Sequence, residues 1–136
     1  LPPLVRIGSA ILDALGRRRV RLDVKHLALV PVTNLARAYA VGAGIAAKAT
    51  LDRLRAATEA GRIPETTAEA LGEAFRLVWQ IRLDHQVARL RAGGPPDDLV
   101  DPRELGPIVR RGLKQAFREI VRAQAALANL AGLRSW

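Results

Sequence analysis

The chain has 136 residues, no cysteine, and 22 lysines and arginines against 13 aspartates and glutamates, which gives a net charge of +9. This length predicts one domain with its own core, and the lack of cysteine excludes disulfides and thiolate metal sites, as expected in a cytoplasmic protein. No run approaches the roughly 18 apolar residues of a membrane-spanning helix, and no signal peptide is recognisable. The arginine excess fits a nucleic-acid or nucleotide ligand, and equally the codon bias of a GC-rich genome.

The first thirty residues predict a short helix followed by a connector. Residues 4–15 have the apolar spacing of a helix, with prolines before them and Gly16 after them. Residues 17–29 alternate apolar and charged side chains, an extended pattern too isolated to build a sheet. We therefore expect an ordered connector at 17–29.

Two more helices are predicted before the middle of the chain. The first begins at Pro31 and ends near Gly42. Thr50 is placed to cap the second, residues 51–60, and Gly61 to end it.

Residues 66–92 predict the longest helix, with Thr66 as its N-cap and Glu69 completing a capping box. At about 100° per residue, one stripe of this helix is apolar in its first half and polar in its second. The stripe consists of Leu71, Phe75 and Val78, followed by Arg82, His85, Gln86 and Arg89. A helix that only packed would keep leucines along the whole stripe, so we interpret its polar half as a candidate binding surface.

The end of the chain predicts a loop and a last helix. Residues 93–102 are too polar and proline-rich for a regular element, although Asp101 and Pro102 suit a cap and a first turn. Residues 107–131 have a helical apolar stripe that includes Val109, Leu113 and Phe117. The whole pattern predicts an all-α antiparallel bundle of four main helices plus the short N-terminal one, in a single domain over residues 1–136.

The residues that enzyme chemistry needs are not assembled in any recognisable motif. The two histidines, His26 and His85, lie in separate segments, and without cysteine a zinc or di-iron site has too few ligands. The acidic residues at 97–104 fit a solvated loop with a helix cap. We expect no metal, no cofactor and no catalysis by this chain alone.

Four motifs, in one order and at these spacings, resemble a known family: LDVK at 22–25, LAR at 35–37, RLDHQ at 82–86 and LKQAF at 113–117. The family is the putative nucleotidyltransferase substrate-binding domain, and the resemblance covers about residues 22–127, with residues 1–21 matching loosely. Its members usually end bacterial signalling proteins, after a CBS-pair or cyclic-nucleotide-binding region and a nucleotidyltransferase domain. The chain departs from the family pattern at His26 and Leu27, where a glycine pair commonly follows the lysine.

This resemblance implies a fragment of a longer protein that presents an acceptor substrate to an upstream nucleotidyltransferase domain of the same chain. The positions that it marks for a nucleotide or other anionic ligand, with Arg89 added from the polar stripe, are Lys25, Arg37, Arg82, His85, Gln86, Arg89 and Lys114. Guanidinium groups at Arg82 and Arg89 match the planar geometry of phosphate and carboxylate. The same side chains could instead form a polar network that ties the helix to a neighbour or to the 97–104 loop, and Arg37 could form a surface ion pair.

Two other classes of function stay open. One is a protein-interaction or dimerisation module, which an exposed apolar stripe on the first helix would favour. The other is a nucleic-acid-binding or ribonuclease-like bundle, because Arg19 or Arg21 with His26 has Arg-x4-6-His spacing. The few aromatic residues argue against a stacking platform for single strands.

Overall fold

A computed structural model describes residues 21–130 and Gly132. Its four α-helices are α1 (Val30–Gly42), α2 (Thr50–Glu59), α3 (Glu65–Arg91) and α4 (Pro107–Leu130). Two short strands, β1 (Leu22–Asp23) and β2 (Leu99–Val100), complete the regular elements together with a π-helical turn at Lys25–Leu29 and a 3-10 turn at Pro102–Glu104. The predicted helix at 4–15 lies outside the described residues. The hypothesis of a protein-interaction or dimerisation module, which an exposed apolar stripe on that helix would favour, therefore stays a prediction.

The predicted all-α class is confirmed, and α3 and α4 form the largest contact between elements. Residues 70–77 of α3 and 112–119 of α4 line one shared groove. The helices come close at Gly112, where an added Cβ would lie 3.0 Å from Leu77 Cδ2. No helix in the described ranges is both long and apolar enough to cross a membrane.

The core lies where α1, α3 and α4 meet the segment that precedes α1. Its largest fully buried side chains are Phe117, Leu71, Leu113, Val24, Val32, Val78 and Val100. The predicted apolar stripes of the two long helices therefore face inward. The exception is Val109 at the start of α4, which is 36% exposed.

The prediction that residues 17–29 and 93–102 contain no sheet is wrong. Leu22 pairs with Val100 and Asp23 with Leu99 in an antiparallel ladder. The ladder persists because Leu22 and Val100 are each only 2% exposed, so the core anchors two strands that would be too short to hold each other in water.

The helix predicted to begin at Pro31 starts earlier. The π-helical turn Lys25–Leu29 continues directly into α1, and the Val30 N–H donates to the carbonyl oxygen of Lys25. Proline lacks an N–H and crowds the preceding turn of a helix, and a wider π turn is one way for a chain to enter a helix that has proline near its start. Lys25 therefore belongs to the same helical surface as the first half of α1.

Two predicted N-caps are wrong. Thr66 lies inside α3, which begins at Glu65, and no side chain caps this helix, so the capping box with Glu69 does not form. Thr50 is the first residue of α2 rather than its cap, and its hydroxyl oxygen lies 3.3 Å from that of Thr33. A hydroxyl already inside the first turn no longer points at the free N–H groups of its own helix.

Charge is distributed unevenly along α3. Its acidic side chains in the first half are Glu65, Glu69 and Glu73, alongside Arg76. Its second half, in which Asp84 is the one acidic residue, carries Arg82, Arg89 and Arg91. Acidic groups near the N-terminus and basic groups near the C-terminus both stabilise the helix dipole.

Candidate functional site

The polar half of the α3 stripe faces the loop that follows this helix. The Nε atom of Arg82 donates to Oδ1 of Asp98 at 2.5 Å, and Nε2 of Gln86 donates to the same oxygen at 3.1 Å. The side chains of Arg82 and Asp98 are only 18% and 21% exposed. This pair is therefore a partly buried, charge-assisted hydrogen bond rather than a surface contact.

A second acidic residue of the loop engages the next turn of α3. Nε2 of His85 lies 2.5 Å from Oδ1 of Asp97, and Nε of Arg89 lies 3.4 Å from Oδ2. Arg89 also donates to the carbonyl oxygen of Pro95 at 3.3 Å. The hydrogen bond from His85, together with one from the Leu99 N–H, lowers the pKa of Asp97 from its ordinary value of 3.8.

These contacts form a clamp, which we define as Arg82, His85, Gln86 and Arg89 bound to Asp97 and Asp98. The clamp fixes the loop against α3, and the carbonyl oxygen of Asp98 accepts the N–H of Val24 at 3.0 Å, which extends the connection to the segment before α1. Within the described ranges, no buried side-chain nitrogen or oxygen lacks a partner. The geometry is that of the polar network considered from the sequence, and ligand binding by these four residues stays a prediction.

Three of the predicted site residues line one open groove between α1 and α3. The basic groove has a volume of about 270 Å³ and is lined by Lys25, Leu29, Val30, Thr33, Asn34, Arg37, Phe75, Trp79 and Arg82. Three cationic side chains line it, and none of these lining residues is acidic. Lys25, Leu29, Thr33 and Arg37 recur every four residues, so one helical face supplies the wall opposite α3.

Lys25 and Arg37 are exposed, and neither forms an ion pair with any residue in 21–130. The alternative of a surface ion pair for Arg37 is therefore not observed in that range. Their charges are available to a ligand, whereas that of Arg82 is already matched by Asp98.

Trp79 is a site residue that sequence reasoning missed. Its side chain is 43% exposed, the guanidinium carbon of Arg82 lies 4.8 Å from its ring centroid, and Phe75 meets it edge-on at 6.4 Å. This is the geometry of a cation–π contact. The available signal was an aromatic residue one turn before Arg82, beside the stripe rather than within it.

Lys114 does not join the groove. It lies on α4, partly buried, outside the residues that line the groove, and it makes no ion pair within residues 21–130. Arg82 therefore connects the groove to the clamp, while Lys114 is separate from both.

The ribonuclease-like pattern places its histidine against an acidic residue. The His26 backbone N–H donates to Oδ1 of Asp23 at 3.0 Å, and Nδ1 of the ring lies 2.9 Å from Oδ2. Arg19 lies outside the described residues. Across the part of the chain that the structure describes, no three His, Cys, Asp or Glu side chains are grouped to hold a metal ion.

The fold and the groove define a class: an all-α domain with an open, basic surface groove that suits an anionic ligand. Residues 1–130 of the chain match the family described as putative nucleotidyltransferase substrate binding domain, and the chain belongs to this family. Neither the curated proteins nor the solved structures give a match to the chain.

Proposed function

We propose that this chain is an accessory domain, without catalytic activity of its own, that binds the substrate of a nucleotidyltransferase in a bacterial signalling protein. Membership of the family supports the association with a nucleotidyltransferase. The rest follows from the resemblance of the four motifs: an upstream catalytic domain in the same chain, preceded by a CBS-pair or cyclic-nucleotide-binding region, in the cytoplasm.

The observation that carries the proposal is the basic groove. Lys25 and Arg37 offer an ammonium and a guanidinium group with no ion-pair partner in 21–130. Charge-assisted hydrogen bonds from such groups to phosphate or carboxylate are stronger than neutral ones. The groove therefore suits a substrate that carries an anionic group.

The clamp contributes by positioning one wall of the groove. Arg82 is fixed by Asp98 on one side and by the ring of Trp79 on the other. A side chain that is ordered before binding loses less conformational entropy when the ligand arrives. In this proposal the domain holds the acceptor, and the catalytic domain of the parent protein supplies the transfer chemistry.

The test is the Arg37→Ala variant of the full-length parent protein, assayed for transfer of labelled nucleotide to the acceptors in a cell extract. We expect a loss of about tenfold or more in transfer at limiting acceptor, because a charged hydrogen bond to the substrate is removed. Arg118→Ala is the matched control, since Arg118 is exposed on α4, away from the groove residues. Equal transfer by the two variants would contradict the proposal.

A further inference from the structure

We infer that the basic groove binds a nucleoside monophosphate, with its phosphate held by Lys25 and Arg37 and its base against Trp79. The inference rests on the proposed function and names the chemical class of the substrate. It is carried by the charge, the aromatic surface and the size of the groove.

The charge of the groove matches one phosphate monoester. Lys25, Arg37 and Arg82 line it, and the partly buried Asp98 compensates Arg82, which leaves two positive charges. A phosphate monoester carries about −1.5 to −2 at neutral pH. A monocarboxylate would leave one cation unmatched, and a triphosphate would exceed the available charge.

The aromatic surface is arranged for a flat ring. The indole of Trp79 is braced by Phe75 along its edge and by Arg82 over one face, yet 43% of the side chain is exposed. Bases stack on such exposed indole surfaces whatever their identity, because every base has a π-face. A braced ring stays in place when no ligand is present, which favours stacking over rearrangement.

The groove also has hydrogen-bonding groups for a base or ribose, and its volume limits the size of the ligand. Asn34 lines the groove with an exposed side chain that both donates and accepts, and the Trp79 N–H can donate. At about 270 Å³, the groove lies just below the roughly 300 to 1,000 Å³ of pockets that bury drug-sized molecules. This size suits one nucleotide, not a dinucleotide or a folded protein surface.

The test uses the 136-residue chain with Trp136→Phe, so that Trp79 is the one fluorescent indole. Adenosine monophosphate and uridine monophosphate are titrated against ribose phosphate, adenosine and inorganic phosphate, by fluorescence and by calorimetry. We expect the monophosphates to quench Trp79 and to bind about tenfold more tightly than ribose phosphate, as base stacking on an aromatic side chain predicts. Ribose phosphate binding as tightly as the nucleotides would overturn the inference.

Two variants separate the contributions of charge and ring. Trp79→Leu, measured by calorimetry, is expected to abolish the tenfold preference for the nucleotide over ribose phosphate, even if the loss of its contact with Arg82 weakens both ligands. A thermal melt of the variant by circular dichroism checks that it folds. Arg37→Ala is expected to weaken both ligands about tenfold, and Arg118→Ala neither. A preference that survives Trp79→Leu would sink the inference.

The same chemistry is presented by a free mononucleotide and by the phosphorylated end of a nucleic acid. An oligonucleotide with a terminal phosphate distinguishes them: binding tighter than that of the mononucleotide identifies the nucleic-acid end, and equal or weaker binding identifies the free nucleotide. Either result supports a nucleotide site. An oligonucleotide that binds equally well without its terminal phosphate overturns it.

Failure of this inference and failure of the proposed function give different results. If no nucleotide binds but Arg37→Ala still lowers transfer by the parent protein, the groove binds another anion and the proposed function stands. If nucleotides bind through Trp79 but Arg37→Ala leaves transfer unchanged, the groove is a nucleotide site that does not deliver the acceptor.

Discussion

Asp98 is the residue on which the clamp depends, because one of its oxygens accepts from both Arg82 and Gln86. Each of these donors is partly buried, so neither exchanges its lost partner for water freely. Removing the carboxylate would leave a guanidinium poorly solvated against the ring of Trp79. The cost of such a change is set by desolvation of the group left behind more than by the strength of the lost bond.

We predict that Asp98→Asn lowers the free energy of unfolding by about 1 to 3 kcal/mol, measured by urea denaturation. The control is Asp84→Asn on α3, whose exposed carboxylate accepts a hydrogen bond from Gln80 one turn away. We expect the control to change stability by less than about 0.5 kcal/mol. Equal losses in the two variants would contradict a stabilising clamp.

Part of the clamp was predictable from sequence. Helical spacing places Arg82, His85, Gln86 and Arg89 on one stripe, and the structure has all four facing the loop that follows α3. The 97–104 loop was one alternative partner, but Asp97 and Asp98 could not be singled out, because they lie in a stretch of glycine and proline that has the composition of a solvated loop. Contacts across 12 to 16 residues depend on how that loop folds back, which local spacing does not encode.

At the scale of elements, the β1–β2 ladder joins two segments that the sequence left as connectors. Leu22 and Val100 face the core from this ladder, whereas Leu99 at the next position is 42% exposed. Strands of two residues show no usable alternation, so periodicity cannot reveal them. The long helices differ in this respect, since many turns of consistent spacing fix both their type and their buried face.

The ladder supplies a matched pair of substitutions on adjacent residues. We predict that Val100→Ala lowers the free energy of unfolding by about 1 to 3 kcal/mol, because it removes two methyl groups from a fully packed position. Leu99→Ala, a larger truncation on the exposed face, should cost less than Val100→Ala in the same urea denaturation series. The reverse order would show that the ladder does not anchor the core.

For the whole molecule, stability is centred on the contact between α3 and α4. Phe117 is 1% exposed and belongs to the same buried cluster as Leu71 and Val78, while Ile108 at the start of α4 is 82% exposed. One helix therefore carries both a central and a peripheral apolar residue. The difference in unfolding free energy lost on truncating each of these two side chains measures how much of the stability comes from the core.

We predict that Phe117→Ala lowers the free energy of unfolding by about 3 to 5 kcal/mol, because a cavity replaces a buried ring. A loss of this size is comparable to the whole stability of many single domains, so partial unfolding at room temperature is an acceptable outcome. Ile108→Ala should shift the thermal midpoint by no more than about a degree or two in the same calorimetric scan. A small effect of Phe117→Ala would mean that the core lies elsewhere.

The uneven charge of α3 has a consequence for how a ligand arrives. The longest helix has three glutamates in its first half and most of its arginines in the second. The electrostatic potential at the surface is therefore more negative near the start of this helix than near its end. An anion diffusing nearby is repelled from the glutamate end of α3 and attracted toward the groove, where Lys25 and Arg37 have no ion-pair partner within residues 21–130. The field thus directs the anion toward the groove before any contact forms. Its range is limited by the screening length of about 8 Å in physiological salt.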